Sequence, residues 1–441
     1  MNSPRESAKR IVARLQQAGF AAFWVGGCVR DFLLGREPQD FDIATDADPD
    51  QVENLFSKTI PVGKKFGVIL IVEQGHQFQV ATFRAEAEYR DGRRPEKVVF
   101  SSAEADASRR DFTVNGLFYD PLTERIHDWV GGEQDLRAKI IRTIGAPEER
   151  FGEDHLRMLR AVRFAAQLDF EIEEKTFAAI QLLAEKIKLI SAERIRDELV
   201  KLFYPPHAGR GLVLLRDSGL LQHILPELAA TIHCEQSPDF HPEGSVFNHL
   251  RLMLEKMPPD SSELLPWAVL LHDIAKPVTA KRDAMTGRIH FYEHEKIGAV
   301  MTEEILRRLK FSNLQIEAVV AAVHHHMQFK DVKQMRKATL RRMLLRETFP
   351  LELELHRLDC LGSNGDLEHY DFCAAAAEEL KQQPAIRPPL LTGDDLIALG
   401  ISPGKRLGEL LHEIREHQLA DELKTPDEAR EWAKKQLSSN G

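Results

Sequence analysis

The chain has 441 residues, which at about 100–200 residues per domain gives two to four domains. With 43% hydrophobic and 29% charged residues, it has ample apolar content for buried cores and the charge of an ordinary soluble protein. A net charge of −10 excludes a global basic field that would draw the whole chain to nucleic acid, so any RNA contact has to come from a local patch.

The opening MNSPRESAKRIVARLQQAGF mixes charges throughout and reads as an amphipathic helix with Ile11, Val12 and Leu15 inward, not as a signal peptide. No run of about 18 apolar residues predicts a membrane span. The cysteines Cys28, Cys234, Cys360 and Cys373 are scattered without CxxC spacing, which points to a reducing, cytoplasmic compartment and no zinc site.

Strand signals at Ala21–Val25, Phe41–Thr45, Gly67–Glu73, Phe78–Phe83 and Lys97–Phe100 alternate with helix signals, and Gly75-His76 marks a hairpin turn. This is an α/β head with a small mixed sheet. Between the first two strands lie Gly26-Gly27-Cys28-Val29-Arg30-Asp31 and Asp40-Phe41-Asp42. Gly26 and Gly27 let the backbone approach a ligand and aim its N–H groups at it, and the helix start behind them favours an anion. Asp40 and Asp42, two apart on the expected strand, emerge on one face. Two carboxylates beside a phosphate cradle are what Mg²⁺-dependent nucleotidyl transfer requires. Two solvated aspartates after a turn are the alternative.

The whole string GGCVRDFLLGREPQDFDIAT resembles the signature of class II tRNA nucleotidyltransferases (CCA-adding enzymes) and the related bacterial poly(A) polymerases. The resemblance implies that Asp40 and Asp42 hold Mg²⁺ and that Gly26, Gly27, Arg30 and Arg110 cradle a nucleoside triphosphate. RRDFTVN (109–115) matches the family motif tied to ribose and triphosphate binding. There Asp111 is expected to hydrogen-bond a ribose hydroxyl, or to cap the helix that follows. DWVGGEQDL (128–136) resembles a flexible link from head to neck, and the loop DGRRP (91–95) is associated in the family with adding A. Gln79 occupies the place where the superfamily usually has a third carboxylate. PVGKKFGV (61–68) lacks the more basic block of poly(A) polymerases, which favours tRNA as substrate.

From Glu148 onward the pattern turns helical, with Leu156, Leu159, Val162, Arg163 and Ala166 at helical spacing. Asp154 and Arg157, three apart, are expected to share a helix face, ordinarily as a surface ion pair. EDHLR fits the family's EDxxR motif, in which this pair selects CTP or ATP without a template and Glu153 orients Arg157. SAERIRDEL (191–199) resembles the neck helix that braces it.

Farther on, His249, the dyad His272-Asp273, His294, the triple His324-His325-His326 and Asp359 follow the order of HD-superfamily metal-dependent phosphohydrolases. His249, His272, Asp273 and Asp359 form a candidate second divalent-metal site. Each histidine alone reads as a surface or satisfied core residue, and the joint order balances a metal site against a structural relic. Between Lys330 and Arg346, seven cations in seventeen residues read as a solvated face or as a phosphate-backbone contact. Pro384–Pro389 is the linker to a tail with a helix-turn-helix-like pair and a closing helix around Pro426–Leu437.

The expected fold is therefore α+β: a nucleotidyltransferase head (1–145), a helical neck (146–230), a helical HD-like body (231–383), and a linker with helical tail (384–441). The expected function is addition of CCA, or its terminal A, to tRNA from CTP and ATP. Poly(A) synthesis is the rival within the class, and HD-type phosphoester hydrolysis is the rival from another class.

Overall fold

A computed structural model describes residues 3–85, 99–237, 244–382 and 388–438. The chain divides into two compact units, Met1–Ala229 and Ala230–Gly441.

The first unit opens with the helix Pro4–Gln17. The Ser3 side chain caps it by accepting from the Glu6 N–H, Pro4 fills its first turn, and Ile11, Val12 and Leu15 are buried as expected. A seven-stranded sheet follows, in the order Thr59–Gly63, Val68–Glu73, His76–Thr82, Ile43–Thr45, Ala22–Val25, Phe118–Asp120, Arg125–His127. Only Ile43–Thr45 against His76–Thr82 is a parallel pairing, so the sheet is mixed. The hairpin turn lies at Gln74-Gly75, both at positive φ, the geometry that suits a two-residue turn between twisted strands. Val25, Ala44, Phe83, Ala107 and Phe118 pack into one core cluster on this sheet.

Three strands of this sheet escape the sequence reading. Thr59–Gly63 is a half-exposed edge strand containing Pro61, and Phe118–Asp120 and Arg125–His127 have three residues each. The strand expected at Phe41–Thr45 begins only at Ile43. Of Lys97–Phe100, Val99–Phe100 pairs with Arg84–Ala85; Lys97 and Val98 lie outside the described residues, as does the DGRRP loop.

The rest of the first unit is helical. The chief elements are Pro147–Glu153, Leu156–Leu168, Glu174–Leu183, Ala192–Leu202 and Ala208–Asp217, with Glu171–Ile172 pairing back to Ile140–Ile141. The stretch from Glu148 is helical as expected, but Asp154 and Arg157 do not share one helix. Asp154 is extended (φ −150°), ends one helix and precedes the next.

The second unit is helical apart from a hairpin, Ala280–Arg282 with Ile289–Phe291. In the tail, Gly393–Ala398 carries a capping box from Thr392 and Asp395, and Leu396, Leu410, Ile414 and Ala433 close one core over three helices. Of the basic run, Lys330, Lys333, Arg336 and Lys337 are exposed, and five of its seven cations are paired. Arg341 is buried and reaches Asp421 at 2.5 Å, Lys337 meets the same carboxylate at 2.6 Å, Arg346 meets Glu352 at 2.5 Å, and Lys333 and Arg342 pair with Glu368 and Glu416.

Candidate functional site

The glycine turn links a buried strand to the helix Gly27–Leu33. Gly26 has φ 73°, a backbone conformation that favours glycine, and a Cβ there would stand 2.8 Å from Arg110 Nη1 and displace that guanidinium. Asp40 and Asp42 lie in the segment leading into strand Ile43–Thr45, not on the strand itself. They share a face nonetheless, because Phe41 between them is buried against the Trp24 ring at 4.8 Å and both carboxylates are exposed. Loss of water in the cleft raises the Asp42 pKa above its ordinary value. Arg110 opposes that shift and Asp40 adds to it.

A cavity of about 470 Å³ gathers most of the expected residues: Gly26, Gly27, Arg30, Asp42, Arg110, Asp111, Asp154 and Arg157 all line it. Asp40 does not, but it lines an adjoining cavity that shares Asp42. Gln79 lines the first cavity from strand His76–Thr82, so the third-carboxylate position is placed as expected and is occupied by a neutral amide.

The cations of this cavity are held by buried carboxylates. Asp106, buried on helix Ala103–Ser108, accepts from Arg109 at 2.5 Å and from Arg110 at 3.1 Å. Arg30 is pinned between Asp31 at 2.8 Å and Asn115 Oδ1 at 2.7 Å. Asp111 caps no helix. It accepts from the Phe112 N–H, from Asn115 and from two nitrogens of Arg160 at 2.9 and 2.6 Å. Burial alone would raise its pKa, but the Arg160 charge and these hydrogen bonds outweigh it and hold it at about 2.

Asp154 and Arg157 do not pair with each other. Asp154 accepts from the Leu156 N–H at 3.0 Å and meets Arg194 at 2.6 Å, while Arg157 donates to the Arg150 carbonyl at 3.0 Å and pairs with Glu153. The helix Ala192–Leu202 holds Asp154 through Arg194 and holds the helix Leu156–Leu168 through buried Glu198, which accepts from Arg163 at 2.5 Å and Arg160 at 3.3 Å. Sequence reasoning assigned no role to Asp106, Arg160 or Glu198.

In the second unit, a buried cluster forms around Asp273. His249, His272 and Asp273 bring ligand atoms within 4.8 Å of one another, and so do Asp273, His294 and His326. Asp359 joins through His249 Nε2 at 3.0 Å. His294 and His326 enlarge the four-residue set expected from the sequence, while His324 and His325 lie outside the two groups.

The histidines are preset. His272, His294 and His326 each donate Nδ1–H to the carbonyl three residues earlier (Val269, Phe291, Val323; 2.9, 2.7 and 2.6 Å), which turns each Nε2 lone pair toward Asp273. The His294 and His326 Nε2 atoms then stand 3.1 Å apart, an arrangement that needs a cation or a shared proton between them. Burial and the neighbouring histidines push His326 down to about 3. Burial alone would raise Asp273, but His272 and Lys276, whose Nζ lies at 2.7 Å, hold it well below the carboxylate range. The donor set therefore fits a divalent ion with imidazole affinity.

Three family models match in chain order: "Poly A polymerase head domain" over 22–142, "Probable RNA and SrmB- binding site of polymerase A" over 169–232, and "HD domain" over 244–358. The CCA-adding enzyme of Lactobacillus helveticus is 34% identical over 434 residues, 96% of this chain and 94% of that enzyme. The chain belongs to the CCA-adding enzyme family. Within that family, the A-adding tRNA nucleotidyltransferase of Deinococcus radiodurans is 34% identical over 93% of this chain and 94% of its own. The Geobacillus kaustophilus CCA-adding enzyme is 45% identical over 54% of this chain and 58% of its own, so that alignment spans less than two thirds of the relative. The crystal structure of the Bacillus stearothermophilus CCA-adding enzyme in complex with CTP matches at a TM-score of 0.76 and 27% identity, covering 100% of this chain and 99% of that one. Membership in the CCA-adding enzyme family makes the chain a nucleotidyltransferase. Among the described residues, no helix is long and apolar enough to cross a membrane.

Proposed function

We propose that the chain adds CCA, or its terminal A, to tRNA 3′ ends from CTP and ATP, without a nucleic-acid template. The observation that carries this is the single cavity that joins Gly26, Gly27, Asp42 and Arg110 to Asp154 and Arg157. Asp40 and Asp42 fit Mg²⁺: both are exposed and neighbours in charge, and neither side chain has a hydrogen-bond or ion-pair partner among the described residues. When bound, Mg²⁺ supplies activation of the attacking hydroxyl and neutralisation of the leaving pyrophosphate.

The chain's own residues do the rest. Gly26 and Gly27 open the backbone to the phosphates, and Arg30 and Arg110 present forks already oriented by Asn115 and Asp106. Asp111, which lines the same cavity, orients Arg160 and is the acceptor offered to a ribose hydroxyl. Asp154 accepts from the exocyclic amine of cytosine or adenine, and Arg157 donates to ring acceptors. Residues 1–145 act as head, 146–230 as neck, 231–383 as body and 384–441 as tail, in a cytoplasmic protein with Cys28, Cys234, Cys360 and Cys373 unbridged.

Labelled CTP and ATP, separately and together, are to be offered with three RNAs: tRNA lacking CCA, tRNA ending in CC, and an unrelated RNA. Completion of CCA on the first marks the full enzyme, and addition of A only to the second marks the A-adding type. Long ATP-derived tails on the third RNA contradict the proposal and favour poly(A) synthesis. A second reading, metal-dependent phosphoester hydrolysis at His249, His272, Asp273 and Asp359 with His294 and His326, is favoured by the preset histidine lone pairs. Phosphoester turnover with Ni²⁺, Mn²⁺ or Co²⁺ tests it.

A further inference from the structure

Beside the nucleotide cavity lies a second one, of about 640 Å³. The two share Gly27, Arg30, Asp42 and Arg163, but the base-facing Asp154 and Arg157 line only the first. Asp40, Arg36, Lys201, Tyr204 and His207 line only the second. Asp42 stands where the two meet. In phosphoryl and nucleotidyl transfer the attacking and leaving oxygens lie roughly in line on opposite sides of phosphorus. A triphosphate occupying the first cavity therefore leaves the second as the approach for the attacking hydroxyl. We infer that this second cavity seats the 3′-terminal nucleotide of the RNA, with Tyr204 stacking on its base and Arg36 and Lys201 meeting its phosphodiesters. The inference rests on the nucleotidyl-transfer reading and names the acceptor side of that same site.

Three observations support it. Arg36 and Lys201 are exposed, and neither has a carboxylate partner among the described residues, whereas Arg110 and Arg157, which line only the first cavity, and Arg30 and Arg163, which line both, are all paired. Unpaired cations beside metal-competent carboxylates, in a chain of net charge −10, suit a polyanion that must come and go. Tyr204 is 46% exposed, and its hydroxyl has no hydrogen-bond partner among the described residues, so its ring is available to stack. The following Pro205 restricts the Tyr204 backbone, and Lys201 is tied to the base-facing helix through Gln167, which donates to its carbonyl at 2.8 Å.

The test uses the full chain and a tRNA acceptor-stem RNA carrying 2-aminopurine as its 3′-terminal base. Binding to wild type is expected to quench the fluorophore by stacking; Tyr204→Ala is expected to lose the quench, and Tyr204→Phe to restore it. In steady-state incorporation, Tyr204→Ala is expected to raise the KM for RNA by about tenfold, in the range of one base–aromatic stack, with the KM for CTP unchanged. Arg36→Gln and Lys201→Gln are each expected to reduce the salt dependence of RNA binding by about one phosphate contact. A Tyr204→Ala variant that still quenches and keeps its RNA KM overturns the inference, as does one that raises both KM values equally. Quenching by a wild type that incorporates nothing supports the RNA seat but overturns the transfer reading. A wild type that neither quenches nor incorporates overturns both.

Discussion

Around Asp42 the carboxylates stand in solvent and the arginines beside them are held by buried partners; around Asp273 the ligating groups themselves are buried and their ring nitrogens are fixed by backbone carbonyls. The first arrangement suits ligands that exchange at every turnover. Its anion-binding forks are oriented in advance, and its carboxylates open onto the cleft where a metal–nucleotide complex can reach them. The second suits an ion that stays, because its donors have already lost their water and cannot regain it without opening the helices. The donor chemistry divides in the same way, oxygen ligands for a hard ion and imidazoles for a borderline one.

Each prediction breaks one side of this contrast. Asp42→Ala is expected to lower incorporation by about 10³-fold or more, several kcal/mol of lost charge stabilisation, while metal content at the histidine cluster measured by mass spectrometry does not change. Glu198→Ala leaves the buried Arg163 without its carboxylate, while the half-buried Arg160 keeps Asp111, and is expected to cost about 3 kcal/mol, read as a fall in the denaturant midpoint. Replacing Asp273 by Asn is expected to weaken divalent-metal binding at the cluster by about 100-fold in equilibrium dialysis, since it removes the group shared by both ligand sets.

Arg157→Ala is expected to relax the choice between CTP and ATP by about 1–3 kcal/mol, more than it weakens triphosphate binding; unchanged selectivity in competition assays removes it from base reading. The smallest effect concerns pH. Asp111 is held at about 2 against an ordinary 3.8, a depressed carboxylate, so its stabilisation is complete above about pH 4 and is lost as the pH falls toward 2. That stabilisation is worth about 2 kcal/mol, and Asp111→Asn is expected to flatten the acid limb of the stability profile in that window.

The contrast also separates what the sequence revealed from what it concealed. The glycine turn and the helix Leu156–Leu168 were legible from residue type and spacing; the Asp40–Asp42 pair needed the resemblance of the whole string around it, and Phe41 rescued the shared face of the two aspartates even though the strand starts later. Asp106 is close in sequence to Arg109 and Arg110, but its burial, which makes it their anchor, has no local signature. Arg160 finds Asp111 across 49 positions and Glu198 across 38, a link that periodicity cannot show. The break at Asp154 was hidden because Arg150, Asp154 and Arg157 keep helical spacing on either side of it. His294 and His326 stood out in the sequence, but their selection depends on carbonyls three residues upstream, which are invisible to residue identity. In the basic run from Lys330 to Arg346, Lys330, Lys333, Arg336 and Lys337 are exposed as a solvated face requires, but the sequence did not show that Asp421, Glu352, Glu368 and Glu416 pair with much of it from later in the chain.

The most direct measurement is transfer of labelled CMP and AMP to tRNA lacking its CCA end, by protein stripped of bound metal and then supplied with Mg²⁺ alone. The account predicts full incorporation, because the exposed carboxylates at Asp40 and Asp42 need only a hard ion. Incorporation that returns only with Ni²⁺, Mn²⁺ or Co²⁺ would contradict it and move the chemistry to the histidine cluster.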